Sequence, residues 1–245
     1  MVFYQPKRIG VINLLVMRTD RIVVSLGGSI LIPDEGDLAY LKKLSALMRT
    51  LANRYELILV CGGGRVARYY ISTGRELGAS RDQLDDLGIA VTRLNANLLR
   101  LALGDVAMPE VPKSIQEATL GATEGKVLVM GGTVPGHTTD AVAAMVAEAV
   151  GAVRIVNGTS VDAAYTADPK KHKDATRLSE ITHQQLYDLV NKGLHSAGPS
   201  DVFDRLGAEI AMRARIPVYI VDGRDLVDLE AAIKGEKVKG TVVRN

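Results

Sequence analysis

Apolar residues along this chain fall into two alternating patterns. One is a short uninterrupted run closing on turn residues: "RIVVSLGGS" from Arg21, "ELILVCGGG" from Glu56, "KVLVMGG" from Lys126, "AVRIVNGTS" from Ala152 and "PVYIVDG" from Pro217. Runs of this length, rich in β-branched residues, predict strands buried on both faces. The other pattern is a spacing of three and four. In "DLAYLKKLSALMRTLANRY" apolar residues fall at 38, 41, 44, 47, 48 and 51, one face of a helix. The same period predicts helices after the second strand, over Arg81 to Leu103, in "AVAAMVAEAV", in "DVFDRLGAEIAMRARI" with Pro217 just past its end, and in "DLVDLEAAIKG". "GTVV" predicts a last strand at a sheet edge, and "AYTADPKKHKDAT" a polar loop. Strands alternating with helices predict an α/β fold on a mainly parallel sheet. No repeat, low-complexity tract or linker composition divides the chain, so a single domain with two lobes is expected.

A parallel sheet puts its ligand crevice at the carboxyl ends of the strands. Three successive strands here end in Gly27-Gly28, Gly62-Gly63-Gly64 and Gly131-Gly132, so these glycines should gather on one edge. Glycine closes many strands for conformational reasons alone. Three such turns at matching places point further, to backbone N–H groups open to an anion beside the positive ends of helices. Familiar phosphate loops fit poorly. "GATEGKV" (121–127) is one residue short of a Walker A loop and has Val127 where a hydroxyl should meet magnesium. "GGGRVA" (62–67) matches a loose dinucleotide fingerprint, yet the acids that follow, Asp82, Asp85 and Asp86, fall in helical pattern rather than at a strand end. In "MGGTVPGHTTDA" (130–141), Thr138, Thr139 or Asp140 can cap the next helix. A cap needs one residue. Thr133, Gly136, His137, Thr138 and Thr139 together offer several neutral donors at one mouth, which suits a monophosphate.

Composition removes other partners. Among 245 residues, 30 Lys and Arg nearly balance 28 Asp and Glu, with two Phe and no Trp, so there is neither a basic field nor a stacking platform for nucleic acid. The single Cys61 excludes an internal disulfide and a cysteine zinc cluster, and points to a reducing, cytoplasmic setting. Residues 1–18 read as an amino-terminal arm or upstream start, with Met17 an alternative start; their apolar patch is too short to span a membrane.

"LGGSI", "CGGGRVAR", "MGGTVPGHTTDAVAA" and "TSVDAAYTADPKK", in this order and spacing, resemble the amino-acid kinase superfamily, and within it the archaeal-type uridylate kinases. The resemblance covers roughly residues 21 to 243. It implies a three-layer α/β/α sandwich, commonly a homohexamer, that transfers a phosphoryl group from MgATP to UMP in pyrimidine nucleotide biosynthesis. The domain would span 19–245, with the UMP side about 19–150 and the ATP side about 151–245. Carried onto matching positions, Gly28, Ser29, Gly64 and Arg68 would meet the ATP phosphates, and Thr159, Ser160, Tyr165 and Asp168 the ATP nucleoside. Gly63, Asp85 and the stretch Thr133, Val134, Pro135, Gly136, His137, Thr138 and Thr139 would hold UMP. No residue is assigned to a metal; Mg2+ would arrive with ATP. A phosphate oxygen of UMP is ionised near neutral pH, so no general base is required, and catalysis would rest on positioning and charge neutralisation. Arg68, Lys170 and Lys171 are the candidates for that neutralisation.

Two departures stand out. Ser25 occupies a position where many superfamily members carry lysine, although uridylate branch sequences often lack it too. Ala163, in "TSVDAAY", replaces a glycine of the usual "TNVDGVY"; if that glycine had positive φ, alanine would resist it, and an altered loop with weaker nucleotide contacts is expected. The same fold also phosphorylates carboxylates, carbamate and isopentenyl phosphate, which the hydroxyl-rich 133–139 stretch and the Asp82, Asp85, Asp86 cluster suit less well. A non-catalytic nucleotide-binding or storage module and a dinucleotide oxidoreductase are the readings from other classes.

Overall fold

The computed structural model describes residues 20–32, 37–122, 126–167, 169, 171–192 and 202–245. The amino-terminal arm, Asp168 and Lys170 lie outside the described residues. β1 (Arg21–Leu26) leads through α1 (Gly28–Leu31) to α2 (Leu38–Leu51), β2 (Glu56–Cys61), α3 (Gly64–Glu76), α4 (Arg81–Leu103) and α5 (Ile115–Gly121). β3 (Leu128–Met130), α6 (Thr139–Val150) and β4 (Arg154–Thr159) follow. β5 (Ala164–Tyr165) and β6 (Arg177–Leu178) form a small antiparallel pair, and β7 (Glu180–Ile181), α7 (His183–Lys192), α8 (Arg205–Ala214), β8 (Val218–Asp222), α9 (Leu226–Lys234) and β9 (Thr241–Val243) complete the chain.

The main sheet runs β3-β2-β1-β4-β8-β9-β7. Every neighbour is parallel except β8 with β9. Alternation along the continuous apolar strands divides the core in two. Ile22, Val24 and Leu26 of β1 face Leu44, Met48, Leu99 and Ile233 of α2, α4 and α9. Val23, with Ile58 and Val60 of β2, faces Val142 and Val146 of α6 and Ala208 and Ala211 of α8. Helices on both sides of one sheet make the expected three-layer α/β/α sandwich.

Several elements differ from the expectation: α5, β6, β7 and α7 were not foreseen, β5 opens the stretch expected as a polar loop, and β9 has a different place in the sheet. β9 is interior rather than an edge, because the two-residue β7 pairs along its other side. A strand that short carries no readable alternation. α7 went unpredicted because Leu186 and Val190, one turn apart, are its buried apolar contacts in an otherwise polar stretch. The helix starts are fixed by side-chain caps: Ser80 and Gln83 form a reciprocal capping box on α4, and Asp204 and Asp225 cap α8 and α9.

Candidate functional site

The turns after β1 and β2 lie back to back with no space for a side chain. A Cβ on Gly28 would sit 2.2 Å from the Gly64 nitrogen and 2.5 Å from the Gly62 oxygen. Gly64 has φ +63°, and a Cβ there would lie 2.4 Å from the Gly28 carbonyl carbon. The third turn packs on α4, where a Cβ on Gly131 would fall within 2.7 Å of the Thr92 and Arg93 backbone. Close backbone approach therefore gathers the three glycine turns as expected. The end of β4 joins them through the Gly27 N–H, which donates to the Gly158 carbonyl at 3.0 Å.

Beside this junction opens a cleft of about 420 Å³ walled by α3, α4 and the loop into α6. α3 enters it from Gly63, which has no side chain with which to cap the helix. Thr138 is the cap of α6, its hydroxyl accepting from the Ala141 N–H at 3.2 Å. Thr139 is thereby left as the first helical residue, lining the cleft. Asp140 instead accepts from the buried Ser25 hydroxyl at 2.7 Å. Across the cleft, Asp85 accepts from the Gly136 N–H at 2.8 Å, tying α4 to the 133–139 loop. Arg68 donates to the Ser29 hydroxyl at 3.2 Å, so its guanidinium bridges the cleft and the β1 turn. The Nδ1 atom of His137 is buried without a hydrogen-bond partner among the described residues.

Nine of the expected residues line the cleft together: Gly63, Gly64, Arg68, Asp85, Val134, Gly136, His137, Thr138 and Thr139. Thr133 and Pro135 are not among its lining. Thr133 is buried behind it with its carbonyl taken by Arg93 at 2.9 Å, and Pro135 is exposed. Gly28 and Ser29 lie at the junction itself. Thr159 ends β4 beside Gly27, while Ser160 is exposed on the loop that follows. Tyr165, on β5, donates to Asp162 at 3.1 Å; burial first, then that carboxylate, hold its hydroxyl above the usual range, so it stays a donor. Lys171 is exposed.

Ala163 does not take up the positive φ that alanine resists. Among the described residues Arg215 is the one non-glycine with positive φ, so the Ala163 backbone is one any residue adopts. Its methyl is wholly buried, and the next residue is anchored by the Ala164 N–H donating to the Thr241 hydroxyl at 2.8 Å.

Several residues of α4 escaped the sequence reading. The Thr92 hydroxyl accepts from the Gly132 N–H at 2.7 Å, and Asn95 donates to the Gly62 carbonyl at 2.8 Å. Arg93 donates to the Gly132 carbonyl at 3.0 Å, and Arg81 lines the cleft at the start of the helix. Thr92 and Asn95 had left a signal, since both are polar residues on the buried face of an amphipathic helix.

A family model described as the amino acid kinase family matches residues 20–222, from the approach to β1 to the end of β8. The chain belongs to the amino acid kinase family. Within the amino acid kinase family it is similar to a uridylate kinase of Methanobrevibacter smithii, 43% identical over 223 residues, 91% of this chain and 99% of that one. A uridylate kinase of Methanocella arvoryzae is 45% identical over 224 residues with the same coverage. The crystal structure of uridylate kinase from Archaeoglobus fulgidus superposes with a TM-score of 0.81 at 40% identity, over 91% of this chain and 99% of that one. A Bacillus anthracis UMP kinase, 20% identical with a TM-score of 0.75, shares the fold.

Proposed function

We propose that this amino acid kinase family member transfers the γ-phosphoryl group of ATP to UMP, forming UDP and ADP. Its archaeal uridylate kinase relatives support that activity. The observation that carries the substrate placement is the cleft in which Gly63 and Gly64, Arg68, Asp85 and Thr139 converge. The UMP phosphate would lie between the α3 turn and the α6 mouth, where two helix dipoles favour an anion. Gly136, held by Asp85, and Thr138 and His137 beside it, would close over the nucleotide. ATP would approach from the junction side, its phosphates at Gly28, Ser29 and Gly64 and its nucleoside toward Thr159, Ser160, Tyr165 and Asp168.

An ionised UMP oxygen would then attack the γ-phosphorus in line while the bond to the β-phosphate oxygen breaks, leaving ADP. No proton needs to be removed first. Charge on the transferred group would be met by backbone N–H groups, by Arg68, which already spans both sides, and by Lys170 and Lys171. Ser25 supplies no charge there but holds Asp140 at the mouth of α6.

Magnesium suits this donor set, since that ion is commonly carried on nucleotide phosphates and its own waters with one or two carboxylates. Asp140 is the carboxylate at the mouth. When bound, the ion would supply charge for the phosphates; in-line placement falls to the glycine turns and Arg68.

The placement in pyrimidine nucleotide synthesis, in the cytoplasm and as a homohexamer belongs to the same proposal. The outer stripe of α4, with Leu94, Leu98 and Leu101 between 41% and 68% exposed, supports a subunit contact. Phosphoryl transfer from MgATP to UMP, CMP, AMP, isopentenyl phosphate and acidic amino acids tests the activity. ADP formation strongest with UMP is expected; nucleotide binding without transfer to any acceptor would leave a storage module instead.

A further inference from the structure

The residues of α4 that line the cleft, Arg81, Asp85, Ile89 and Thr92 among them, fall on one helical face. That face extends about 16 Å from Arg81 to Thr92 at 1.5 Å per residue. Its Thr92 end touches the glycine turns: the Thr92 methyl lies 3.5 Å from where a Gly63 Cβ would be, and its hydroxyl takes the Gly132 N–H. A nucleotide whose phosphate sits by those turns and whose nucleoside follows this face of α4 is directed toward Arg81.

Arg81 stands against two local rules. It occupies the first helical position after the Ser80 cap, where the helix dipole favours acids and disfavours a cation. One turn on lies Asp85, a natural partner at that spacing, yet Asp85 is engaged by Gly136 and no ion pair joins the two. Among the described residues Arg81 makes no hydrogen bond or ion pair, though it lines the cleft. Residues that break local preference without local compensation concentrate at functional sites.

We propose that Arg81 reads the base, donating to the O4 carbonyl of uracil; this deepens the UMP kinase reading and rests on it. A guanidinium only donates. Cytosine carries an amino group at that position, so donor would face donor and both would lose their water. Exposed Val134, from the opposite wall, and Ile71 of α3 offer apolar surface for the faces of the ring. Arg81 is in this role a specificity-determining residue, separate from the groups proposed for phosphoryl transfer.

The test is calorimetric titration of the wild type, Arg81→Ala and Arg81→Lys with UMP and with CMP, alongside turnover and thermal unfolding. Losing one hydrogen bond from a charged donor weakens binding by about ten- to a hundredfold. Arg81→Ala is therefore expected to weaken UMP by that factor, to leave CMP within about threefold, and to unfold at the wild-type temperature; Arg81→Lys should keep part of the preference. Equal loss for both nucleotides, or no loss for either, overturns the assignment. So does a wild type that binds both alike, whatever its turnover. A wild type that prefers UMP through Arg81 but transfers no phosphoryl group would leave the assignment standing and remove the kinase reading.

Discussion

At the scale of single residues the site separates holding from folding. Thr138 and Thr139 are adjacent, chemically alike and both on the cleft, yet only Thr138 also caps α6. Thr138→Ala should cost about 1 kcal/mol of stability, read as a fall of a few degrees in Tm. Thr139→Ala should leave Tm in place and raise KM for UMP; a shift in Tm alone would make it a second structural residue. Arg68 is exposed and bridges to Ser29, so its loss is expected to act on turnover. Arg68→Ala should lower kcat by roughly ten- to a thousandfold, the scale for removing one charge-stabilising donor, with unchanged far-ultraviolet circular dichroism. These roles were partly legible in advance, because hydroxyls and glycines crowded before a helix have few other uses. The division of labour between two neighbouring threonines was not, since it depends on which hydroxyl points back along its own helix.

Among elements, the paired turns decide how β1 and β2 present their ends. Gly27 and Gly28 are neighbours in one motif, but a Cβ on Gly27 meets nothing closer than 3.5 Å and its φ is −54°, open to any residue. Gly27→Ala should therefore be tolerated, whereas Gly28→Ala drives a methyl into the Gly64 backbone and should abolish activity and markedly lower Tm. Comparable stability of the two variants would mean that the turns can separate freely. At α9, Asp225 caps the helix and pairs with Lys239 at 2.6 Å, and the Lys239 hydrogen bond first, then the Asp228 N–H, hold its carboxyl below the usual range. A lowered folded pKa means stability present above about 3.9, the unfolded value, and lost as pH falls through the folded one. Asp225→Asn keeps a cap but drops the charge. Its Tm deficit at pH 7 should shrink as pH falls below about 4, and a deficit constant with pH would detach Asp225 from the acid limb.

For the whole molecule, one sheet is buried between two helical layers, and among the described residues Leu94, Leu98 and Leu101 leave an apolar stripe exposed on the outer face of α4. Leu94→Glu with Leu101→Glu should reduce the assembly measured by light scattering while far-ultraviolet circular dichroism persists; an unchanged mass would place the subunit contact elsewhere. The order of the long strands and helices was written in the chain, because a strand buried on both faces must be continuously apolar and a half-buried helix must keep its period; the short β5, β6 and β7 and the helices α5 and α7 were not. The glycine turns and the cap-bearing loop before α6 were written there too, both being local in sequence. The tertiary structure alone decided that Gly28 and Gly64 exclude each other's side chains, that Ser25 holds Asp140, that β9 is interior, and that Arg81 comes to face the cleft from the start of α4. Each of these joins residues distant along the chain or depends on the direction of a side chain, and local periodicity carries no information about either.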